Sequence, residues 1–544
     1  MDRILPGRAP VYEMLEQYRV KGNISYHVPG HKNGEAYRGS ETAGFLSEVM
    51  RYDVTEITGT DDLHHPEGVI REAQELAADC FGAEESFFLV GGSTAGNLAL
   101  ILTVCPEAGM TLILQRNVHK SVIHGLMLAG ARAVFIEPQI DPLSGLAVAP
   151  AAEAVQAALA AYPEAAAVLV TMPNYYGMGS DLAPLARVCH TSGVPLLVDE
   201  AHGAHYGQHP ALPAGALMCG ADGVVQSTHK MLPALTMGAM LHVQGPWLDR
   251  ALLRQRLAMV QSSSPSYPVM ASLDLARRLV HSQGAGAFTA GLAAVDVLRR
   301  GLATLPRYGL LQPAAPLQGA SGGAGSAAAT STPPQGMAAY STQDPFKAVI
   351  YDATGVLGGF ELQRRLEEKG MVPEMSDDRH VVLAFSLGSK ADDTQRLLAA
   401  LREIAEETSG GLANLPGGTA KQKSSTEYLH TEPGEDQVQA SVKYSTWNNL
   451  MDDFISRPVL FSMKPVNPVE TERIRLEYSA GRTAAEMVIP YPPGIPLVYP
   501  GEWISEDICS RLVSLRQGGA KFQACADPAL QHIQVYNIKK GGDV

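Results

Sequence analysis

The feature that most constrains the fold of this chain is an alternation of short apolar runs with helical windows between residues 70 and 285. Continuous apolar strands separated by helices are typical of a mostly parallel sheet that is covered on both faces. The sequence therefore predicts an α/β architecture. The apolar runs are ESFFLV (85–90), MTLILQ (110–115), ARAVFIE (131–137), AAAVLVTMP (165–173), VPLLVDEA (194–201) and DGVVQS (222–227).

The rest of the 544-residue chain divides around this core, because a chain of this length is expected to form more than one domain. A stretch rich in Gly, Ala, Ser and Pro over 312–336 predicts a disordered insertion, and a polar stretch over 407–440 predicts a linker. The domains that we expect are an N-terminal arm (1–35), a large domain (36–285), a small α/β domain (286–405) and a C-terminal domain (441–544).

Composition excludes several classes of protein. The formal net charge of −14 and the absence of a Lys/Arg block argue against nucleic-acid binding, and no apolar run approaches the roughly 20 residues that span a bilayer. The six cysteines form no CxxC pair, which is typical of reduced thiols rather than a disulfide framework. We therefore expect a cytoplasmic protein, with an organelle as the alternative, that binds neither membrane nor nucleic acid.

A phosphate site is predicted where the first apolar run turns into a helix. The segment FFLVGGSTAGNLALILTVC places Gly91, Gly92, Ser93 and Thr94 at this turn. Glycines let the backbone approach an anion, N–H groups at the helix start point toward it, and the hydroxyl groups add donors. The alternative is an ordinary helix N-cap, where Ser and Thr are favoured whatever the function.

A carboxylate and a lysine follow two later strands. Asp199 ends VPLLVD, and Lys230 follows Ser227 and His229 after the run DGVVQS. Parallel strands end at one edge of a sheet, so these side chains can meet in a single cleft. Pyridoxal phosphate needs a phosphate cradle, a carboxylate for its ring nitrogen and a Schiff-base lysine. Taken singly, Asp199 could be a helix cap and Lys230 a surface residue; the combination favours the cofactor.

Histidines offer two further readings. His119, in RNVHKSVIHG, could stack on a cofactor ring in the same cleft or could be a structural histidine. His202, His205 and His209 lie close together in the sequence, which raises the possibility of zinc, but no cysteine accompanies them. We predict no metal.

With these residues assembled, the chain closely resembles the Orn/Lys/Arg decarboxylases, which are basic amino-acid decarboxylases of the fold-type-I pyridoxal phosphate class. The resemblance covers almost the whole chain outside the two low-complexity stretches. The matching segments are HVPGHKNG (27–34), DVTEITGTDDLHHPEGVI (53–70), GGSTAGNLA (91–99), RNVHKS (116–121), VDEAHGAHYG (198–207), QSTHKMLPALT (226–236), SPSYPVMASLD (264–274) and YPPGIPLVYPGE (491–502).

The resemblance implies a role for each candidate residue. Lys230 would be the Schiff-base lysine, Asp199 the partner of the pyridine nitrogen and His119 the ring-stacking residue. His202 would lie near the phenolic oxygen of the cofactor or the substrate carboxylate, and Glu502 would meet the distal cation of the substrate. The residues implied at the phosphate are Ser93, Thr94 and Ser227, with His229 adjacent.

The implied reaction is decarboxylation of arginine, lysine or ornithine to its amine, and we favour arginine giving agmatine for polyamine synthesis. Gly91 and Met237 depart from residues that many relatives carry, and the insertion at 312–336 is also unlike the compact bacterial chains. The resemblance further implies a short form without a wing domain, assembled as a homodimer or a larger homo-oligomer. The alternatives are another fold-type-I enzyme, such as an aminotransferase, aldolase or racemase, and an inactive regulatory relative.

Overall fold

The computed structural model of the protein describes residues 5–41, 43–313, 339–410, 450–452, 455–491 and 494–537. The predicted insertion at 312–336 lies outside the described residues from residue 314 onward, and the predicted linker at 407–440 does so from residue 411 onward. Residues 407–410 are the end of a long helix, so the first four residues of the predicted linker are helical.

Residues 5–313 contain most of the helices and the longest strands. The helices here are α1 (Pro10–Lys21), α2 (Ala43–Met50), α3 (Val69–Phe81), α4 (Gly92–Val104), α5 (Lys120–Ala129), α6 (Ala152–Ala161), α7 (Ala183–Thr191), α8 (Thr228–Met231), α9 (Arg250–Val260), α10 (Tyr267–Gln283) and α11 (Thr289–Leu302). The strands are β1 (Glu85–Leu89), β2 (Thr111–Gln115), β3 (Arg132–Ile136), β4 (Ala167–Thr171), β5 (Met178–Gly179), β6 (Leu196–Asp199), β7 (Gly223–Gln226), β8 (Ala239–Val243) and β9 (Tyr308–Leu310).

The large sheet confirms the predicted α/β architecture. Its central order is β1-β8-β7-β6-β4-β2-β3. The run from β7 to β3 is parallel, whereas β8 pairs antiparallel with both β7 and β1. Each of the six apolar runs singled out in the sequence contains one of these strands. The sheet is therefore mostly parallel.

Helices cover both faces of this sheet, as continuous apolar strands require. On one face, α4, α5 and α9 pack through residues such as Leu100, Ile123 and Leu253. On the other face, α6 and α7 pack through residues such as Leu159 and Leu185. Because apolar side chains are buried on both faces of the sheet, polar groups can gather at the carboxyl edge of the strands.

Two smaller units, called the second unit and the C-terminal unit, follow the large sheet and its helices. The second contains β10 (Thr342–Gln343), β11 (Lys347–Asp352), α12 (Gly359–Glu368), β12 (Met375–Ser376), β13 (His380–Ala384) and α13 (Ala391–Gly410), and its antiparallel sheet has the order β12-β13-β11-β9. The C-terminal elements are β14 (Leu450–Asp452), β15 (Ile455–Ser456), β16 (Val459–Leu460), β17 (Thr471–Arg475), β18 (Arg482–Thr483), β19 (Ile489–Tyr491), β20 (Trp503–Ile504), α14 (Glu506–Gln517), β21 (Lys521–Gln523) and β22 (His532–Tyr536).

The C-terminal elements are tied to the large sheet as well as to each other. β15 and β16 both pair with β3 and extend the edge of the large sheet. β17 pairs with β22, β18 with β20 and β19 with β21 around a separate apolar cluster. Within the described ranges, every helix is too short or too polar to serve as a bilayer span.

Candidate active site

The candidate site lies at the carboxyl edge of the parallel strands. Asp199 is the last residue of β6, where it is in register with Thr171 of β4 and Val225 of β7. Lys230 lies in α8, a single helical turn that begins directly after β7 and Ser227. Parallel strand direction therefore brings the predicted carboxylate and lysine to one place.

Lys230 and His202 are in direct contact. Lys230 Nζ lies 2.9 Å from His202 Nε2, and the Tyr175 ring packs on His202 with ring centroids 4.2 Å apart. The same amine lies 5.3 Å from the centroid of the Tyr175 ring. Burial lowers the pKa of Lys230 to about 8, although the charge of Asp199 opposes the effect. Burial and the Lys230 charge hold the pKa of His202 well below its ordinary value, so this imidazole is neutral.

Asp199 is buried and held by a polar relay from α4 and α5. Asn97 Nδ2 donates to Asp199 Oδ2 at 2.9 Å and to Ser121 Oγ at 2.9 Å. The Ala201 N–H donates to the second carboxylate oxygen. Burial raises the pKa of Asp199, and the Asn97 bond and the Lys230 charge lower it. The carboxylate keeps lone pairs free for a cationic ring nitrogen.

His119 stands between β2 and α5. It is the N-cap of α5, with Nδ1 accepting the Ser121 N–H at 3.2 Å and lying 2.8 Å from Ser121 Oγ. Burial and the nearby Lys230 charge lower the pKa of His119 to about 3. Gly494 of the C-terminal unit approaches the ring so closely that a Cβ there would lie 3.2 Å from Nε2. A neutral, fixed imidazole results.

The predicted phosphate residues surround the start of α4. Its N-cap is Gly91, and in the part of the chain that the structure describes no side chain caps the helix, so the alternative of Ser and Thr as caps is wrong. Ser227 Oγ instead donates to Ser93 Oγ at 2.8 Å, which joins the turns after β1 and β7, and Thr94 is exposed beside them. Hydroxyl groups at an uncapped start of a 13-residue helix suit a phosphate group.

Met237 and His229 shape the loop beside this helix start. Met237 has a φ of 76°, a region that non-glycine residues rarely adopt, and its carbonyl accepts the Gly92 N–H at 2.9 Å. His229 Nδ1 lies 2.9 Å from the carbonyl oxygen of Gly238, the residue that follows Met237. Met237 therefore acts here through its backbone.

Glu502 lies elsewhere than the sequence suggested. It is 1% exposed, and both carboxylate oxygens accept from Nη2 of Arg116 at 2.9 Å. The Tyr499 N–H donates to the same carboxylate. A carboxylate whose lone pairs are engaged and which is shielded from solvent is not placed to receive a substrate cation. The geometry corrects the expectation for Glu502, which here neutralises a buried arginine.

A cavity of about 670 Å³ opens beyond Tyr175 and is lined by all three units. The carboxylates of Glu367, Asp377 and Asp378 in its wall each accept a hydrogen bond from a neighbouring side chain. Glu374 also lines the cavity, is exposed, and raises the pKa of Lys230 through its charge. Among the contacts of the described chain, the Glu374 carboxylate has neither a hydrogen bond nor an ion pair.

The three histidines that are close together in the sequence, His202, His205 and His209, contact different partners. His205 Nε2 lies 3.0 Å from Asp344 Oδ1, whereas His202 contacts Lys230. His209 Nδ1 accepts the N–H of Ala211. In the ranges covered by the structure, no set of three or more His, Cys, Asp or Glu side chains is placed to hold a metal ion.

Several residues of the site were not singled out from the sequence. Asn97 lies one helical turn after Ser93, and that spacing could have indicated it. Tyr175 follows β4 and so lies near the same edge of the sheet, whereas Lys347 and Glu374 belong to the later elements β11 to β12, and local sequence carries no signal for their approach to the site.

Two family models match the chain. The model described as Orn/Lys/Arg decarboxylase, major domain, matches residues 9–393, and the model described as Orn/Lys/Arg decarboxylase, C-terminal domain, matches residues 462–523. The uncharacterized protein YaaO of Bacillus subtilis (strain 168) is 36% identical over 525 residues, covering 94% of this chain and 97% of that protein. The arginine decarboxylase of the same organism is 31% identical over 535 residues, covering 98% of each.

Solved structures agree in fold. The constitutive lysine decarboxylase of E. coli superposes with a TM-score of 0.72 at 21% identity, covering 98% of this chain and 82% of that one. Lysine decarboxylase A from Pseudomonas aeruginosa gives a TM-score of 0.73 at 22% identity, covering 97% of this chain and 80% of that one. At these identities the likeness establishes the fold.

Proposed function

The chain belongs to the Orn/Lys/Arg decarboxylase family, and from that premise we propose that it converts arginine to agmatine and CO2. It is a pyridoxal phosphate-dependent decarboxylase of a basic amino acid. The choice of arginine is supported by the relatives: the arginine decarboxylase of Bacillus subtilis is 31% identical, whereas a Pseudomonas lysine decarboxylase is 25% identical.

The chain's own residues fit the cofactor. Ser93 and Ser227, whose hydroxyl oxygens are 2.8 Å apart at the uncapped start of α4, would hold the phosphate with Thr94, and His229 would lie adjacent. Asp199 would hold the ring nitrogen in its protonated form, and His119 would stack on the ring. When bound, pyridoxal phosphate supplies an electron sink for the electron pair that remains when CO2 departs.

Lys230 would carry the cofactor, and its surroundings suit that task. An amine is nucleophilic only when neutral, and burial lowers the pKa of Lys230 to about 8. His202 Nε2, at 2.9 Å, is a neutral acceptor for a hydrogen bond from the Lys230 amine. The Tyr175 ring packs against both groups. The contacts among Lys230, His202 and Tyr175 support these proposed roles.

The observation that carries the substrate assignment is the free carboxylate of Glu374. A guanidinium leaving water requires an anionic partner, because an unpaired buried charge is strongly disfavoured. Glu374 lines the cavity beside Tyr175, and its charge reaches Lys230. We therefore assign the distal cation to Glu374 in place of Glu502.

One assay decides the reaction. The purified holoenzyme is given arginine, lysine and ornithine with labelled carboxyl carbon, and CO2 and amine products are identified. Agmatine and CO2 in equal amounts from arginine support the proposal. Keto acids without CO2 would indicate an aminotransferase, and preference for lysine or ornithine would replace arginine as the substrate.

A pair of variants tests Glu374. Glu374→Gln keeps the shape of the side chain and removes its charge, so KM for arginine is expected to rise at least tenfold while cofactor binding is unchanged. Glu367→Gln in the same cavity is the matched control, because Glu367 already accepts from Gln363, and its KM should stay within twofold. Equal effects of the two substitutions would contradict the assignment.

We further propose a cytoplasmic homodimer that supplies agmatine to polyamine synthesis. Support for the second copy comes from three strongly exposed apolar side chains on the N-terminal arm and α2. Ile24, Tyr26 and Phe45 are 81%, 93% and 85% exposed, respectively. Soluble monomers rarely leave a large apolar surface in water.

A further inference from the structure

A second buried lysine lies beside the candidate site. Lys347 is the first residue of β11 and is 2% exposed. Its stem passes over Gly177, where an added Cβ would lie 2.5 Å from Lys347 Cβ. Gly177 has a φ of 77° and follows Tyr175 by two residues, and the Tyr175 ring contacts His202. The start of the Lys347 side chain therefore lies against the loop that carries Tyr175.

The Lys347 ammonium is close enough to act on the site electrostatically. Its positive charge contributes to lowering the pKa of both Lys230 and His202. Burial lowers the pKa of Lys347, and the charges of Glu374 and Asp344 oppose that effect. Within the part of the chain that the structure covers, Lys347 forms no ion pair, and Asp344 is already bonded to His205.

A buried ammonium without an ion-pair partner is costly. The cost falls when an anion arrives from outside the chain. A basic amino acid carries one anionic group, its α-carboxylate, and the distal cation of the same molecule would be repelled by Lys347. The charges of the site thus match a substrate with its carboxylate toward Lys347.

We propose that Lys347 binds the α-carboxylate of the amino-acid substrate. The assignment deepens the proposed function and rests on it. A fixed carboxylate sets the direction of the bond that breaks, which is how positioning lowers the barrier. The contact also separates substrate from product: CO2 carries the carboxyl carbon away, a proton replaces it on Cα, and the amine retains no anion for Lys347.

The first test compares ligands with and without the carboxylate. Lys347→Met keeps most of the stem and removes the charge. In the holoenzyme, KM for arginine is expected to rise at least tenfold, whereas the dissociation constant of agmatine, measured by calorimetry, should stay within twofold. Lys369→Met is the control, since Lys369 pairs with surface glutamates, Glu403 and Glu407. An unchanged KM, or equal weakening of arginine and agmatine, would overturn the assignment.

The second test does not depend on turnover. In cofactor-free protein, the pH dependence of Lys230 acetylation, followed by mass spectrometry, reports the pKa of its amine. Without the Lys347 charge this midpoint should move above the wild-type value of about 8. A midpoint that does not move would show that Lys347 does not face Lys230.

The two proposals can fail separately. If wild-type enzyme releases no CO2 from arginine, lysine or ornithine, the proposed function fails, and the labelling midpoint still decides whether Lys347 faces Lys230. If CO2 is released but Lys347→Met leaves KM unchanged, the Lys347 assignment alone fails. Lys347→Gln is the second uncharged variant if Lys347→Met does not fold, and the melting temperature of each variant verifies its integrity.

Discussion

Arg116 and Glu502, 386 residues apart in the chain, form a buried ion pair with both partners at most 1% exposed. Arg116 follows β2 and also donates to the carbonyl groups of Pro496 and Leu497. Its guanidinium lies 4.0 Å from the centroid of the Tyr499 ring. The pair thus fastens the C-terminal unit to the strand end that leads to His119.

The pair predicts that Glu502→Gln acts on stability rather than on substrate binding. Removing one partner leaves the Arg116 charge buried without compensation, which costs about 3–5 kcal/mol in such pairs. We expect a clearly lower melting temperature, with KM for arginine within twofold of wild type well below the transition. Arg8→Met, which breaks partly exposed pairs with Glu13 and Glu72, should change melting little. If Glu502→Gln has the wild-type melting temperature and a raised KM for arginine, Glu502 would instead be a substrate-binding residue.

Attachment of the cofactor should follow the ionisation of Lys230. With its pKa lowered to about 8 by burial, roughly one amine in ten is neutral at pH 7, and the neutral fraction rises with pH. The rate at which cofactor-free enzyme takes up pyridoxal phosphate is expected to increase up to about pH 8 and to level off above it. Borohydride reduction and peptide mass spectrometry locate the attached group.

Lys230→Met is the control for that experiment. It should bind no cofactor covalently and should have no turnover, while melting near the wild-type temperature. A midpoint of attachment near 10.5, the ordinary value for lysine, would contradict the effect of burial. Covalent attachment at another lysine would contradict the assignment itself.

Asn97 is expected to set the pH range in which Asp199 is charged. Its amide stabilises the ionised carboxylate, and a hydrogen bond to a charged group contributes about 1.5–3 kcal/mol. Asn97→Leu should therefore raise the pKa of Asp199, so that activity present above this pKa is lost at a pH about one unit higher on acidification. The acid limb of the pH profile of kcat/KM measures the shift.

The matched control for Asn97 lies on the same helix. Thr103→Val removes a hydroxyl that donates to the Ala99 carbonyl within α4, and its acid limb should coincide with that of wild type. An acid limb that stays in place in Asn97→Leu would show that Asn97 does not act on Asp199.

The sequence predicted those parts of the site that depend on strand direction. Asp199 ends β6, and Lys230 lies in the helical turn that follows β7. Parallel strands end at one edge whatever the rest of the chain does. Asn97 was overlooked although it lies on the helix face of Ser93. The four-residue spacing between Ser93 and Asn97 on α4 could therefore have indicated Asn97 as a residue of the site.

The remaining residues could not be predicted, because their positions depend on long-range packing. Glu374 and Lys347 lie in the second unit and reach the site only when that unit packs beside the large sheet. Glu502 was assigned to the substrate because its partner, Arg116, is invisible from the C-terminal segment. A buried carboxylate can be interpreted only once the charge beside it is known.

The exposed apolar side chains of the N-terminal arm and α2 lead to a last prediction, on assembly. If a second copy covers Ile24, Tyr26 and Phe45, a charge placed there would be buried without a partner in the dimer and would weaken association. Phe45→Glu is expected to lower the dimer fraction at micromolar concentration, measured by light scattering after gel filtration. Val469→Glu, at an apolar side chain that is 82% exposed in the C-terminal unit, is the control and should match wild type. A dimer fraction unaffected by Phe45→Glu would place the contact on another surface, whereas a wild-type protein of monomer mass would exclude the assembly.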